Sequence, residues 1–182
     1  MKKGLMLFHN NMEDVEALAT KALLKRANVN VETVSISAEK AVKFYYGTEV
    51  KADFLASETD IDDYQFIIIP GGMYVSEVIE KDTKIKSLIS GFHNGGKGVF
   101  AICAAPMFLG ELGILKNKEY TIFPSCEKDS FEGILKQDKK VVRAENIITA
   151  RSVGAVFEFV GEIINYLFDQ KAVEMFYKNT YF

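Results

Sequence analysis

An apolar run, Gly98-Val99-Phe100-Ala101-Ile102, leads straight into Cys103, and then into Ala104-Ala105-Pro106-Met107-Phe108-Leu109-Gly110-Glu111-Leu112. The run reads as a buried parallel strand and the segment from Pro106 as the start of a helix. A strand that turns at once into a helix crowds backbone and side chains at the junction, so its neighbours must be small. Ala101, Ala104 and Ala105 meet that need. This is the pattern of a nucleophile elbow. It requires a strand inside a covered parallel sheet and puts the side chain at the sheet's carboxyl edge, where open α/β sheets bind ligands. Free N–H groups at the helix start would favour a thiolate there.

The rest of the chain supplies that sheet. Residues 4–8 form a short apolar run, a first strand. Residues 12–27 follow as a first helix, with Val15, Leu18, Ala19, Ala22 and Leu23 at helical spacing. Residues 29–36 alternate apolar and polar as a second strand, and residues 42–52 fold back as a hairpin around Gly47-Thr48. Residues 66–69 are wholly apolar and end in Pro70-Gly71-Gly72; residues 78–93 read as one helix stopped by Asn94-Gly95-Gly96. Strands are expected over 120–123, 141–143 and 147–150, a long helix over 155–168, and a further helix over 173–177. Strand and helix alternate, which predicts an α/β fold with a mainly parallel sheet between helical layers, as one domain over residues 1–182.

Composition narrows the function. Hydrophobic residues make up 48% of the 182 residues, enough for a large core, and the net charge of −3 gives no nucleic-acid-binding surface. The stretch from Lys136 to Arg143 is diluted by Gln137, Asp138 and two valines and marks a turn between strands. No apolar run is long enough to span a membrane, and residues 4–8 are too short for the core of a signal peptide, so the expected location is cytoplasmic. Two cysteines, Cys103 and Cys126, make neither a disulfide framework nor a zinc motif.

Three pieces converge on the carboxyl edge. Cys103 is the first. Gly71-Gly72, after an apolar strand, permits close backbone approach and offers N–H groups to an oxyanion. Glu13, Asp14 and Glu16 open the first helix, with Glu16 flanked by apolar residues and able to face inward.

These pieces resemble the ThiJ/PfpI superfamily, and within it the branch that includes the Parkinson-disease-associated deglycase. The matching landmarks are Glu13-Asp14-Val15-Glu16-Ala17-Leu18, Leu24-Lys25-Arg26-Ala27, Ala52-Asp53, Ile69-Pro70-Gly71-Gly72, Ala101-Ile102-Cys103-Ala104-Ala105-Pro106, and Thr149-Ala150-Arg151-Ser152 with Phe157-Glu158-Phe159. The resemblance implies a flavodoxin-like three-layer α/β/α sandwich and a homodimer. By position it assigns Cys103 as the reactive residue, Glu16 as its acid partner, and the N–H groups of Gly72 and Ala104 as oxyanion donors. It implies action on small electrophiles such as reactive dicarbonyls or their protein adducts, glyoxalase-like or deglycase-like, with no metal or organic cofactor. The alternatives are a non-enzymatic sensor in which peroxide takes Cys103 to sulfinate, and a chaperone-like dimer.

Two departures from the family pattern bear on mechanism. Relatives place a histidine near the cysteine, either before a proline after a later strand or directly after the cysteine; here those positions are Phe123, before Pro124, and Ala104. Their absence counts against proteolysis and other hydrolysis, counts against full dicarbonyl turnover, and favours the sensor alternative. His9, at the end of the first strand, is the accessory candidate, while His93 falls at the opposite end of the sheet. Cys126 reads as structural, with a resolving thiol as the alternative. For Glu16 to favour a thiolate it must be held protonated by burial and donate to sulfur.

Overall fold

The structure is a computed structural model that describes residues 2–182. In chain order its elements are β1 (Lys3–Phe8), α1 (Asp14–Arg26), β2 (Asn30–Ser35), β3 (Ala41–Lys43), β4 (Glu49–Lys51), β5 (Phe54–Leu55), β6 (Phe66–Ile69), α2 (Tyr74–Val78) and α3 (Thr83–Asn94). They continue with β7 (Gly98–Ile102), α4 (Pro106–Glu111), β8 (Glu119–Tyr120), β9 (Ile134–Leu135), β10 (Val141–Ala144), β11 (Ile147–Ala150), α5 (Val156–Leu167) and α6 (Gln170–Thr180).

Seven strands make one sheet in the order β10-β11-β7-β6-β1-β2-β5. Every neighbouring pair is parallel except β10 against β11. Every residue of β6, β7 and β11 is buried, which explains why these strands lack polar alternation: helices cover both faces. The expected mainly parallel three-layer sandwich is the observed one. α1 packs on α5 and α5 on α6, while α3 packs on β6 and β7. From β1 to β2 the chain moves one way across the sheet; from β6 to β7 it moves the other. Right-handed crossovers therefore put α1 and α3 on opposite faces, and the crevice between them opens at the carboxyl ends of β1 and β6. Among the described residues, no helix is long and apolar enough to cross a membrane.

Three stretches depart from the sequence expectation. Residues 78–93 are not one helix: α2 ends at Val78 and α3 begins afresh at Thr83. Asp82 causes the break by accepting from the N–H groups of Lys84 (2.8 Å) and Ile85 (3.1 Å) as an N-cap. Residues 120–123 are not one strand, since β8 stops at Tyr120. Beyond it the Thr121 N–H donates to the Thr149 hydroxyl (2.9 Å) and the Phe123 N–H to the Cys103 carbonyl (2.9 Å), so the chain bonds to the elbow instead of continuing a ladder. The third departure is the rotation of α1. Its inward residues are Asp14, Glu16, Ala17, Thr20, Leu23 and Leu24, and Val15, expected inside, is 48% exposed.

Candidate active site

Cys103 stands where β7 hands over to α4. Its N–H donates to the Ala150 carbonyl (2.9 Å) and its own carbonyl accepts from Phe123 (2.9 Å), so its backbone is gripped from both sides. Its φ is 65°. For a residue with a Cβ that left-handed conformation costs roughly 1–2 kcal/mol, and it persists because the surroundings over-determine it. This is the strained turn that a nucleophile elbow demands. Among the described residues, the Ala104 N–H has no backbone acceptor; it bears on the Cys103 sulfur.

The glycine pair after β6 explains how the strands come so close. A Cβ on Gly71 would lie 2.5 Å from the Cys103 Cβ, 2.8 Å from Glu16 Oε2 and 2.9 Å from the Ile102 carbonyl oxygen. Gly72 has φ 122°, and a Cβ there would meet the Glu13 nitrogen at 2.5 Å. The Gly72 N–H has no backbone acceptor among the described residues.

Glu16 is 1% exposed. On α1 it shares a face with Thr20, Leu23 and Leu24, the spacing of a core-facing stripe, so packing of the helix drives a carboxyl into the crevice. Oε2 accepts from the Gly71 N–H at 2.9 Å. Oε1 is buried and meets no donor or acceptor at hydrogen-bonding geometry, although the Cys103 thiol and the Val153 N–H both bear on this carboxyl. Burial first, and then the charge on Glu13, raise the Glu16 carboxyl from an ordinary 4.5 to about 7, against the lowering effect of Cys103, Gly71 and Val153. Such an acid changes its charge near neutrality.

The sulfur moves the same way. Burial first, then the charge of Glu16 and the hydrogen bond with it, push the Cys103 thiol up, and the Ala104 N–H only partly opposes them. The expectation of a sulfur standing ionised is corrected here: with Glu16 charged, Cys103 stays a thiol, because two anions in one dry site repel. Below about pH 7 both groups keep their protons; above it Glu16 carries the one charge and Cys103 remains a thiol. A protonated Glu16 donates to a thiolate; an ionised Glu16 accepts from a thiol.

In front of the pair lies a cavity of about 360 Å³. Its walls are mainly apolar: Tyr45 and Tyr46 from the tip of the β3–β4 hairpin, Met73, Met107, Phe123 and Val153. Asp14 holds the tyrosine wall in place, accepting from the N–H groups of Tyr46 (2.9 Å) and Thr48 (3.3 Å). Against the upward pull of burial, hydrogen bonds from Thr48 and Tyr46 keep the Asp14 carboxyl below its ordinary range.

Cys103, Glu16, Gly72 and Ala104 all line this cavity, so four of the five sequence candidates meet. His9 does not join them. The chain turns after β1 through Asn11, whose φ is 62°, and the His9 ring stacks on Tyr74 with centroids 5.0 Å apart and Nδ1 2.7 Å from the Asn10 carbonyl oxygen. Among the described residues no histidine lines the cavity, and Phe123 forms part of its wall. His93 sits in the last turn of α3.

Sequence reasoning passed over the tyrosine pair, named Glu13 only as a residue opening the first helix, and gave Cys126 a place beside Cys103 only as the alternative to a structural role; all four line the cavity. Glu13 has a legible local role, capping α1 by accepting from the Glu16 N–H, which masks its second position at the cavity. The tyrosines carry a weaker sign: two aromatics beside a glycine at a hairpin tip, where packing offers them nothing else.

Residues 2–166 match the DJ-1/PfpI family. The Drosophila melanogaster protein dj-1beta is 26% identical over 174 residues, covering 95% of this chain and 93% of that one. The protein YraA of Bacillus subtilis is 30% identical over 167 residues, covering 91% and 98%. The crystal structure of a cysteine-to-alanine mutant of a DJ-1 superfamily protein from Salmonella typhimurium superposes with a TM-score of 0.91 at 27% identity, over 100% of this chain and 99% of that one. With its elbow and sheet order set beside a family match across nearly its whole length, the chain belongs to the DJ-1/PfpI family.

Proposed function

We propose that Cys103 and Glu16 act as nucleophile and general acid–base on small, reactive carbonyl compounds, in glyoxalase-like fashion on free dicarbonyls or deglycase-like fashion on their protein adducts. The observation that carries this reading is the buried Glu16 carboxyl, poised at about 7 and bearing on the elbow cysteine within one cavity. A general base works best when its pKa lies near the working pH.

A 2-oxoaldehyde is the simplest such substrate. The Cys103 sulfur bonds to the aldehyde carbon as its proton passes to Glu16 and on to the carbonyl oxygen, giving a hemithioacetal. The N–H groups of Ala104 and Gly72 stabilise the oxygen while it carries charge. Glu16 then moves the hydrogen of that carbon, as a proton, to the neighbouring carbonyl carbon while the hydroxyl proton passes to the neighbouring oxygen, which leaves a thioester of a 2-hydroxy acid. Water cleaves the thioester, releasing the acid and restoring the thiol.

The test is lactate formation from methylglyoxal without glutathione, comparing the wild type with Cys103→Ser and Glu16→Gln. Turnover that vanishes in Cys103→Ser and falls at least tenfold in Glu16→Gln supports the scheme; equal rates in all three refute it. A homodimer and a cytoplasmic location belong to the same reading.

One observation favours a second reading, the peroxide sensor. Glu16 Oε1 is buried without a partner, and a protonated acid there would donate more strongly to an oxygen on oxidised sulfur than to sulfur itself.

A further inference from the structure

Both cysteines of the chain line the one cavity. They come from distant segments. Cys103 sits on the elbow, and Cys126 ends the turn that follows Phe123. Two hydrogen bonds tether them: Phe123 N–H to the Cys103 carbonyl (2.9 Å) and Cys126 N–H to the Phe123 carbonyl (3.1 Å). Ser125, just before Cys126, has φ 73°, and this left-handed residue curls the turn so that Cys126 returns to the cavity wall. Pro124 and Ser125 are exposed, and both cysteines are partly so. Carbonyl chemistry at Cys103 leaves Cys126 without a task.

We propose that Cys126 is the resolving thiol of Cys103: after peroxide has oxidised Cys103, Cys126 closes an intramolecular disulfide with it. The proposal rests on the reading of Cys103 as the reactive thiol. In the first step the Cys103 sulfur bonds to one peroxide oxygen and the O–O bond breaks. The thiol proton, passed through Glu16, leaves on the other oxygen as water. The sulfur is oxidised by two electrons to sulfenic acid and the peroxide is reduced by two. In the second step the Cys126 sulfur attacks the Cys103 sulfur, the S–O bond breaks, and the Cys126 proton departs with the hydroxide as a second water.

Burial and the neighbouring Glu127 push the Cys126 thiol up, so its proton must pass to the departing hydroxide as the sulfur attacks, because the thiolate is the nucleophile. Closure requires the two Cα atoms to come within about 7 Å. The tether through Phe123 fixes one end of the approach, and a short excursion of the exposed turn supplies the rest. The consequence is protective: a disulfide is reversible by thiols, whereas the sulfinate formed by a second peroxide is not.

The experiment treats reduced wild type, Cys126→Ser and Cys103→Ser with a few equivalents of hydrogen peroxide and blocks free thiols with N-ethylmaleimide. Intact mass and non-reduced peptide maps are then read, with circular dichroism to establish that each variant is folded. The wild type should lose two hydrogens, yield a linked Cys103–Cys126 peptide and revert with dithiothreitol. Cys126→Ser should accumulate several-fold more sulfinate at Cys103 than the wild type, and Cys103→Ser should do neither. Equal sulfinate in wild type and Cys126→Ser with no linked peptide would overturn the resolving role while leaving Cys103 reactive. No oxidation at Cys103 in either protein would overturn the resolving role and leave the carbonyl reading to the lactate assay, and a linkage found only between chains would overturn the intramolecular step.

Discussion

Replacing Glu16 by Gln should stabilise the protein, and by an amount that depends on pH. The side chain keeps its shape: the Gln oxygen can accept from the Gly71 N–H as Oε2 does at 2.9 Å, and its amide faces the Cys103 thiol without a charge to desolvate. The wild-type carboxyl ionises at about 7 in the folded chain, against an ordinary 4.5. An acid whose folded pKa lies above its unfolded one binds more protons folded than unfolded between those values, so its contribution to stability falls as pH climbs from about 4.5 to about 7. The interval, 7 − 4.5 = 2.5 units, corresponds to about 3 kcal/mol at 1.36 kcal/mol per unit. Glu16 is 1% exposed, so solvent screening takes little of this away.

The assay is thermal or urea unfolding of wild type and Glu16→Gln under reducing conditions at pH 5 and pH 8. At pH 5 the acid is neutral in the folded chain but already mostly ionised in the unfolded one, so the variant should lead by only about 1 kcal/mol. At pH 8 the variant should be more stable by about 3 kcal/mol, which for a chain of this size is a Tm higher by roughly 6–12 °C. The same variant should alkylate faster at Cys103 above pH 7, because the Glu16 charge that pushes the thiol up is gone and the thiolate is the species that reacts. A stability difference that stays flat between the two pH values would refute the argument, since a carboxyl that costs nothing to ionise is not the poised acid on which the mechanism depends.

Gly71→Ala should lower stability by about 2 kcal/mol or more, because the new Cβ meets the Cys103 Cβ at 2.5 Å and a backbone oxygen at 2.9 Å, neither of which can yield cheaply; an unchanged urea midpoint would contradict the close approach. Asp14→Asn should cost about 1–2 kcal/mol at pH 7 by weakening the acceptor for Tyr46 and Thr48. Because the folded Asp14 carboxyl lies below its ordinary 3.8, the wild-type advantage should be full above about 3.8 and vanish as the pH falls through the folded value, which acid-dependent unfolding and faster amide exchange at residues 46 and 48 would check. Phe123→His puts an imidazole at the cavity wall beside the elbow, and lactate formation from methylglyoxal should rise about tenfold or more; an unchanged rate would mean that the missing histidine does not limit turnover.

What the sequence made legible was decided by local sterics. The elbow could be read from residues 98–106 because one tight junction imposes small neighbours on Cys103, and the wholly buried strands β6 and β7 announced themselves by lacking any polar position. The break between α2 and α3 was also written locally, as Asp82 before Thr83, but apolar spacing across 78–93 hid it. The cavity walls were another matter. Tyr45 and Tyr46 line the cavity of Cys103 because long-range bonds hold their turn, the Tyr46 N–H to the Asp14 carboxylate across 32 residues and the Tyr45 N–H to the Met12 carbonyl among them, and no periodicity encodes those bonds.

The rotation of α1 shows why the site escapes a hydrophobic reading. Its apolar spacing favours turning Val15, Leu18, Ala19 and Ala22 inward, yet the helix buries Asp14, Glu16 and Thr20. Three polar anchors outweigh the apolar stripe: Glu13 capping the first turn, Asp14 bound to the hairpin, and Glu16 bound to Gly71. A helix of pure scaffolding would be rotated by its leucines alone. Here the chain accepts a buried acid, one of whose oxygens has no hydrogen-bond partner, beside the Cys103 sulfur. Conflict between local pattern and observed burial falls where function overrides stability, so the rotation of α1 points to the same Glu16 that its apolar neighbours allowed to face inward.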